Sequence, residues 1–521
     1  MGVDRSDQTT ALGQEQAASG IEGLDSILRG GFSREEMHLI QGTSGTGKTT
    51  LALQFLLAGA AAGESGLYIT LAQSKRGLEA IARSHGWSLE GVTVHDPSPD
   101  DMAEHLVSDQ TVLRTADVEL GELTRQLRDV IEQTQPRRVV FDSVGVIGLL
   151  AGSPSRYHRE IVVLRQFLVD RGCTALFLGE WPTETALKRP VSSEFHSLAG
   201  SVVQMEHTAP DYGEVRRRLR VIKVRGVAFR GGYHDFRIRT GGLEIYPRQE
   251  VRHGETYGDF RHIRSGIESL DQLLGGGLEQ GTACLFIGPS GSGKSTLAAL
   301  YATAAAQGGD AATIFLFEER PETFKARSTG VGIDLQPQLD SGRLTLVQLD
   351  STDISPGEFA HRVRAAVDGA HARVIVIDSL TGYFNAMGNI SSLSVQMHEM
   401  LNYLSGSGVL TLLVVTQEGF MSVGEVPNVD VSYLSDSILA LRFFEAEGRI
   451  RRCVAAIKKR RGEHETTLRE LFIGPEGVSV GEAPLRQFHH ILSGIPELID
   501  PGQGWRSSQD VPRGGEGGRG G

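Results

Sequence analysis

The chain contains Gly42-Thr43-Ser44-Gly45-Thr46-Gly47-Lys48-Thr49 and, 246 residues later, Gly288-Pro289-Ser290-Gly291-Ser292-Gly293-Lys294-Ser295. Both fit G-x-x-x-x-G-K-[ST], a pattern expected where a strand turns into a helix. The glycines let successive backbone N–H groups face one anion at the positive end of that helix. Lys48 and Lys294 are placed to reach the outer phosphates of a nucleoside triphosphate. Thr49 and Ser295 offer hydroxyls to Mg²⁺. A single match can arise by chance; two in matching surroundings do not. The candidate nucleotide contacts are Gly42, Thr43, Ser44, Gly45, Thr46, Gly47, Lys48, Thr49 and Thr50 in the first copy. In the second they are Gly288, Ser290, Gly291, Ser292, Gly293, Lys294, Ser295 and Thr296.

The duplication extends beyond the loops. Gly20-Ile21-Glu22-Gly23-Leu24-Asp25 returns as Gly266-Ile267-Glu268-Ser269-Leu270-Asp271, at the same spacing of 246 residues. A repeat this long means two domains, not a solenoid. In the first half, strands are expected at 38–40, 67–71, 92–95, 138–141 and 175–178, with an amphipathic helix over 49–58 and further helices over 77–85, 118–132 and 159–170. The second half repeats the pattern with strands at 283–287, 313–317, 344–348, 374–377 and 410–416. Apolar, β-branched strands alternating with helices predict a mostly parallel sheet covered on both faces, an α/β fold built twice in tandem. Each half closes with β-rich sequence, 201–245 and 437–480. The chain is thus expected to divide into a disordered start (1–18), a first domain (19–245), a linker (246–262), a second domain (263–499) and a disordered Gly- and Arg-rich tail (500–521).

Bulk properties exclude several classes. The length of 521 residues exceeds what one core usually supports. The formal net charge of −12 argues against nucleic acid as the main partner. The three cysteines, Cys173, Cys284 and Cys453, are far apart and lack C-x-x-C spacing, so neither a disulfide framework nor a zinc site is expected. That usage fits a reducing cytoplasm. No signal peptide is apparent, and no apolar run approaches the ~20 residues of a membrane span.

Two further strands carry chemistry. Arg138-Val139-Val140-Phe141-Asp142-Ser143 and Val374-Ile375-Val376-Ile377-Asp378-Ser379 each end an apolar run in aspartate. At this distance from a phosphate loop, Asp142 and Asp378 are candidates to hold the Mg²⁺ water shell. The halves differ at the end of the strand after the loop helix. The second reads Ile314-Phe315-Leu316-Phe317-Glu318-Glu319 and the first Tyr68-Ile69-Thr70-Leu71-Ala72-Gln73. A carboxylate at Glu318 or Glu319 can accept a proton from water or a hydroxyl attacking the γ-phosphate, whereas Ala72 and Gln73 cannot. Two nucleotide sites are expected, with only the second fully equipped.

On these motifs the chain resembles the KaiC family of circadian clock ATPases and autokinases, within the RecA superfamily, over about residues 19–497. The resemblance implies tandem RecA-like domains, ATP and Mg²⁺ as cofactors, and a homohexamer with ATP at subunit interfaces. The first ring would assemble on ATP, and the second would carry Ser/Thr autokinase activity. It adds Glu318 to the metal site beside Ser295 and Asp378, and assigns catalytic weight to Lys294, Glu318, Glu319, Lys458 and Arg460. It also implies that two K-x-R segments reach a neighbour's nucleotide: Lys223 and Arg225 in the first half, Lys458, Lys459 and Arg460 in the second. Nucleobase contacts would fall near Ser84 and Trp87. The family's adjacent Ser and Thr phosphoacceptors correspond to Ser432 and Tyr433, leaving Ser432 as the acceptor. A phenol's oxygen stands too far from the backbone for the same base to serve it.

Two rival readings belong to other classes. A RecA-like recombination or remodelling ATPase would need a basic, aromatic-bearing loop for single-stranded DNA, and 184–198 and 418–431 are nearly neutral and acidic. A nucleotide-gated scaffold without useful catalysis fits Ala72-Gln73 in the first half. A signalling partner for the chain is not readable from its residues.

Overall fold

The computed structural model describes residues 15–71, 73–96, 115–180, 191–209, 213–248, 261–350, 352–387, 390–417, 434–486, 488–489, 491–492 and 497–498. The chain divides into two compact units: residues 1–250 with 352–362, and residues 251–351 with 363–521.

The first unit is built on a nine-stranded sheet of β3 (Met37–Gly42), β4 (Gly66–Thr70), β5 (Val92–His95), β6 (Arg138–Asp142), β7 (Thr174–Gly179), β8 (Ser201–Thr208), β9 (Arg216–Val224), β10 (Tyr233–Arg239) and β11 (Gly242–Tyr246). Its order is β11-β10-β9-β8-β3-β7-β6-β4-β5. Strands β5, β4, β6, β7, β3 and β8 run parallel, and β8 to β11 continue antiparallel. Ahead of it, β1 (Gln16–Ala17) pairs with β2 (Phe32–Ser33). Strand β1 thus falls inside the stretch 1–18 expected to be disordered, because buried Ala17 packs with Ile21, Leu24 and Phe32.

The second unit repeats this plan. A short pair, β12 (His262–Ile263) and β13 (Leu278–Glu279), precedes a nine-stranded sheet of β14 (Ala283–Gly288), β15 (Ala311–Leu316), β16 (Leu344–Gln348), β17 (Ala372–Asp378), β18 (Leu410–Thr416), β19 (Ser437–Ala446), β20 (Arg449–Lys459), β21 (Arg469–Gly474) and β22 (Gly477–Pro484). The order β16-β15-β17-β18-β14-β19-β20-β21-β22 is that of the first sheet, strand for strand. Each expected strand is present within a few residues of its reading.

The central strands are buried on both faces, as parallel strands under helices must be. In the first unit Ile40, Tyr68, Val140 and Leu176 face one core, while Leu39, Leu67, Val139 and Ala175 face the other. Each buried aliphatic side chain contributes on the order of 1.5–3 kcal/mol. The loop helices Lys48–Ala61 and Lys294–Gln307 are buried round most of their circumference, not amphipathic as expected for the first. Each packs on the parallel strands and shares its core with the segment that enters the domain, Ile21 and Leu24 in the first unit and Leu270 and Leu273 in the second. No described helix is long and apolar enough to cross a membrane.

Candidate functional site

Each phosphate loop leaves the C-terminal end of the central strand, β3 or β14, and opens directly into its helix. Gly47 (φ +98°) and Gly293 (φ +107°) occupy the left-handed region. A Cβ at either would meet an isoleucine Cδ1, Ile238 at 2.7 Å or Ile473 at 2.4 Å, which can give way, so it is the backbone conformation that demands glycine. The Lys48 amine donates to the carbonyls of Gly42 (2.7 Å) and Thr43 (2.9 Å). Lys294 makes the same pair, to Gly288 (2.9 Å) and Pro289 (2.7 Å). Both cations are thus folded over their own loops, where a triphosphate's oxygens would lie. Burial pushes the Lys294 amine down to about 8, against the opposing pull of Asp378 and Glu318. Lys48 is lowered for the same reason, with Glu180 and Asp142 opposing.

Beside each loop lies the aspartate that ends the apolar strand. Thr49 Oγ1 donates to Asp142 Oδ2 at 3.2 Å, and Ser295 hydrogen-bonds Asp378. Burial raises the Asp378 carboxyl to about 6, while Ser295 and the cations Arg327 and Lys294 pull it back. Among the described residues no group of three or more His, Cys, Asp or Glu is placed to hold a metal ion. One hydroxyl and one carboxylate per site fit Mg²⁺, which keeps several waters and takes the rest of its shell from phosphate oxygens. In the first unit Asp142 has an additional partner: Tyr68 O–H donates to the same Oδ2 at 2.6 Å. Pairing of Tyr68 with Val140 and of Ile314 with Val376 shows that the second unit has isoleucine at this place.

The carboxylates of the second unit separate into two roles. Glu318 Oε1 accepts from Ser379 Oγ at 3.2 Å and lies within electrostatic reach of Lys294. Glu319 is turned to Arg327, which grips both its oxygens at 2.8 and 3.2 Å and also reaches Thr296 Oγ1 at 3.4 Å. In the first unit the Thr70 hydroxyl bonds the backbone of Gln73, and Ala72 lies outside the described residues. A carboxylate missed by sequence reasoning is Glu180, immediately after β7. Gly179 pairs with Gln41, so Glu180 follows at the level of Gly42, next to the loop. The signal was available: a charged residue directly ending an apolar strand.

The K-x-R residues lie elsewhere. Lys223 donates to the carbonyl of His196 and Arg225 to that of Ser197, both in the last turn of helix Val191–Leu198. Lys458 donates to Ser435 (2.7 Å), buried Lys459 to Leu274 (2.6 Å), and Arg460 pairs with Asp436 (3.3 Å). Val224 pairs with Ser201 and Ser201 with His38, near the start of β3; Lys459 is likewise tied through Ser437 to Cys284. The loops leave the other ends of these strands, about 13 Å away at the usual rise per residue. Ser84 bonds back to Ile81 at 2.8 Å, and Trp87 stacks on His85 at 4.6 Å. Ser432 and Tyr433, and the loop segments 181–190 and 418–431, lie outside the described residues.

The family model "ATPase: KaiC" matches residues 17–250 and again 263–484. A "Circadian clock protein KaiC3" from Synechocystis is 26% identical over 93% of this chain and 95% of its own length. "Circadian clock oscillator protein KaiC" from Picosynechococcus is 27% identical over 92% of each chain, and that from Synechococcus elongatus 27% identical over 92% and 91%. Two family matches, one on each sheet with its own phosphate loop, place this chain in the KaiC ATPase family.

Proposed function

We propose that the chain is an ATP-binding signalling protein in which the second unit hydrolyses ATP and transfers its γ-phosphoryl group to Ser432. The first unit holds nucleotide as an assembly ring with weakened catalysis. The observation that carries this is Glu318, a carboxylate at the end of β15 within electrostatic reach of Lys294. Its counterpart strand in the first unit ends in Ala72-Gln73. In transfer, the acceptor oxygen forms a bond to the γ-phosphorus, the bond to the β-phosphate oxygen breaks, and the hydroxyl proton passes to Glu318, leaving ADP. Water in place of Ser432 gives hydrolysis by the same path. Glu319, gripped by Arg327, is the less available of the pair. Mg²⁺ bound at Ser295 and Asp378, or at Thr49 and Asp142, would offset charge on the phosphates.

A homohexamer with ATP between subunits is supported by where the K-x-R residues lie. Lys223, Arg225, Lys458 and Arg460 sit at the opposite ends of the sheets from their own loops, so a nucleotide that they met would be a neighbour's and not their own. Incubation with γ-labelled ATP, with size measured with and without nucleotide, tests both parts. The expected results are label on wild type, none on Ser432→Ala, and a ring that forms only with nucleotide. Undiminished label on Ser432→Ala overturns the acceptor, and an ATP-independent monomer overturns the assembly.

A further inference from the structure

Tyr68 is a fully buried phenol in the middle of a parallel strand. Its hydroxyl is aimed at Asp142 Oδ2 at 2.6 Å, the oxygen that Thr49 also meets at 3.2 Å. A phenol carries its proton at neutral pH and a carboxylate only accepts, so Tyr68 is the donor in this pair. One oxygen of the aspartate therefore carries two donors from the protein itself. The second unit has Ile314 at the equivalent place, so no phenol reaches Asp378 from that strand position.

We propose that Tyr68 is a positioning residue that weakens the coupling of Mg²⁺ to nucleotide in the first site by occupying Asp142. The inference rests on the reading of both loops as ATP sites. A carboxylate in the Mg²⁺ shell acts by accepting hydrogen bonds from the ion's waters and by its charge. A phenol on the same oxygen removes an acceptor position and draws charge toward its own proton. Thr49 can turn from Asp142 to a cation, because its hydroxyl rotates. Tyr68 cannot follow, because its ring is locked in the core with Ile40, Leu53 and Val140. The duplicated sites thus differ at the metal as well as at the proton acceptor. The first is expected to need more divalent ion than the second to hold Mg²⁺ with its triphosphate.

The test uses the full chain and photo-crosslinking with 8-azido-ATP, quantifying labelled peptides from each unit separately while Mg²⁺ is titrated. Tyr68→Phe removes only the hydroxyl, and Tyr68→Ile copies the second unit. Both variants are expected to lower the Mg²⁺ concentration for half-maximal first-site labelling by about three- to tenfold, the net scale of one hydrogen bond. Second-site labelling should not move. A half-saturation unchanged in both variants overturns the inference. A shift to higher Mg²⁺ also overturns it, since it means that the phenol orients Asp142 for the ion. Absence of first-site label from wild type at any Mg²⁺ concentration overturns the ATP-site reading itself, and the inference with it.

Discussion

Glu180 puts negative charge beside Lys48, close to where a γ-phosphate would sit. We assign it an electrostatic role, opposing the burial that lowers the Lys48 amine, and not proton acceptance. Glu180→Gln is then expected to tighten triphosphate binding at the first site by about fivefold, for repulsion of about 1 kcal/mol between well-hydrated charges. Total ATP turnover should be unchanged, and a fall in turnover would mean that Glu180 is the first site's base. His38 offers a second test. It is fully buried at the base of β3, with Nδ1 2.8 Å from Ser201 Oγ and Nε2 2.8 Å from the Ser33 carbonyl. The carbonyl can only accept, so Nε2 carries the proton and Nδ1 accepts from Ser201. Burial lowers this imidazole to about 4 from an ordinary 6.5. Between those values the unfolded chain binds more protons than the folded one, so stability present above pH 6.5 is lost as pH falls toward 4. The loss is on the order of 3 kcal/mol. Urea midpoints at pH 7 and pH 5 should separate for wild type and converge for His38→Gln. These contacts were not legible in the sequence, because each depends on a partner more than a hundred residues away or on which face of a strand a side chain takes. Tyr68 and Asp142 meet only because β4 and β6 are neighbours in a particular register.

At the scale of elements, Arg138 clamps β6 to the loop helix and to the segment around Ala18. Its buried guanidinium donates to Glu64 at 2.5 Å, to the Phe55 carbonyl at 2.8 Å and to the Ala18 carbonyl at 2.6 Å, and stacks over the Phe55 ring. Glu64 is held in turn by Arg34 at 2.6 Å. Glu64 keeps Arg34 when Arg138 is lost, so the cost is that of hydrogen bonds made by a charged group, about 1.5–3 kcal/mol. Arg138→Leu should therefore lower the first unit's unfolding free energy by about that much, read as earlier protease cleavage of that unit under increasing urea. Cleavage at the wild-type urea concentration would contradict the clamp. The strands themselves were legible, since apolar runs punctuated by Gly, Asp and Ser specify them locally. The helix Lys48–Ala61 was harder to read: periodicity suggests one apolar face, but the segment around Leu24 and Phe32 and the strand residues Leu243 and Ile245 bury more of it. The antiparallel halves of the sheets were legible only as β-rich sequence, because pairing order depends on contacts between distant segments.

For the whole molecule, duplication is the dominant fact. Two sheets of identical order carry two loops with matching lysine contacts, and the family match falls once on each. The constant spacing of the repeat makes the duplication visible in the sequence alone, because a phosphate loop is a short motif whose geometry is set by its own residues. What distinguishes the two halves lies around the loops: Tyr68 against Ile314, Ala72-Gln73 against Glu318-Glu319, and Arg327 on Glu319. The first two are differences of residue that the aligned repeats display, but the contact of Tyr68 with Asp142 and of Arg327 with Glu319 needed the structure. The central claim is that the second site turns over ATP while the first chiefly holds it. Steady-state ATP turnover of Lys48→Ala and Lys294→Ala, measured side by side on the full chain, tests it most directly. Turnover is expected to survive in Lys48→Ala and to be lost in Lys294→Ala; loss in Lys48→Ala with survival in Lys294→Ala would contradict the claim.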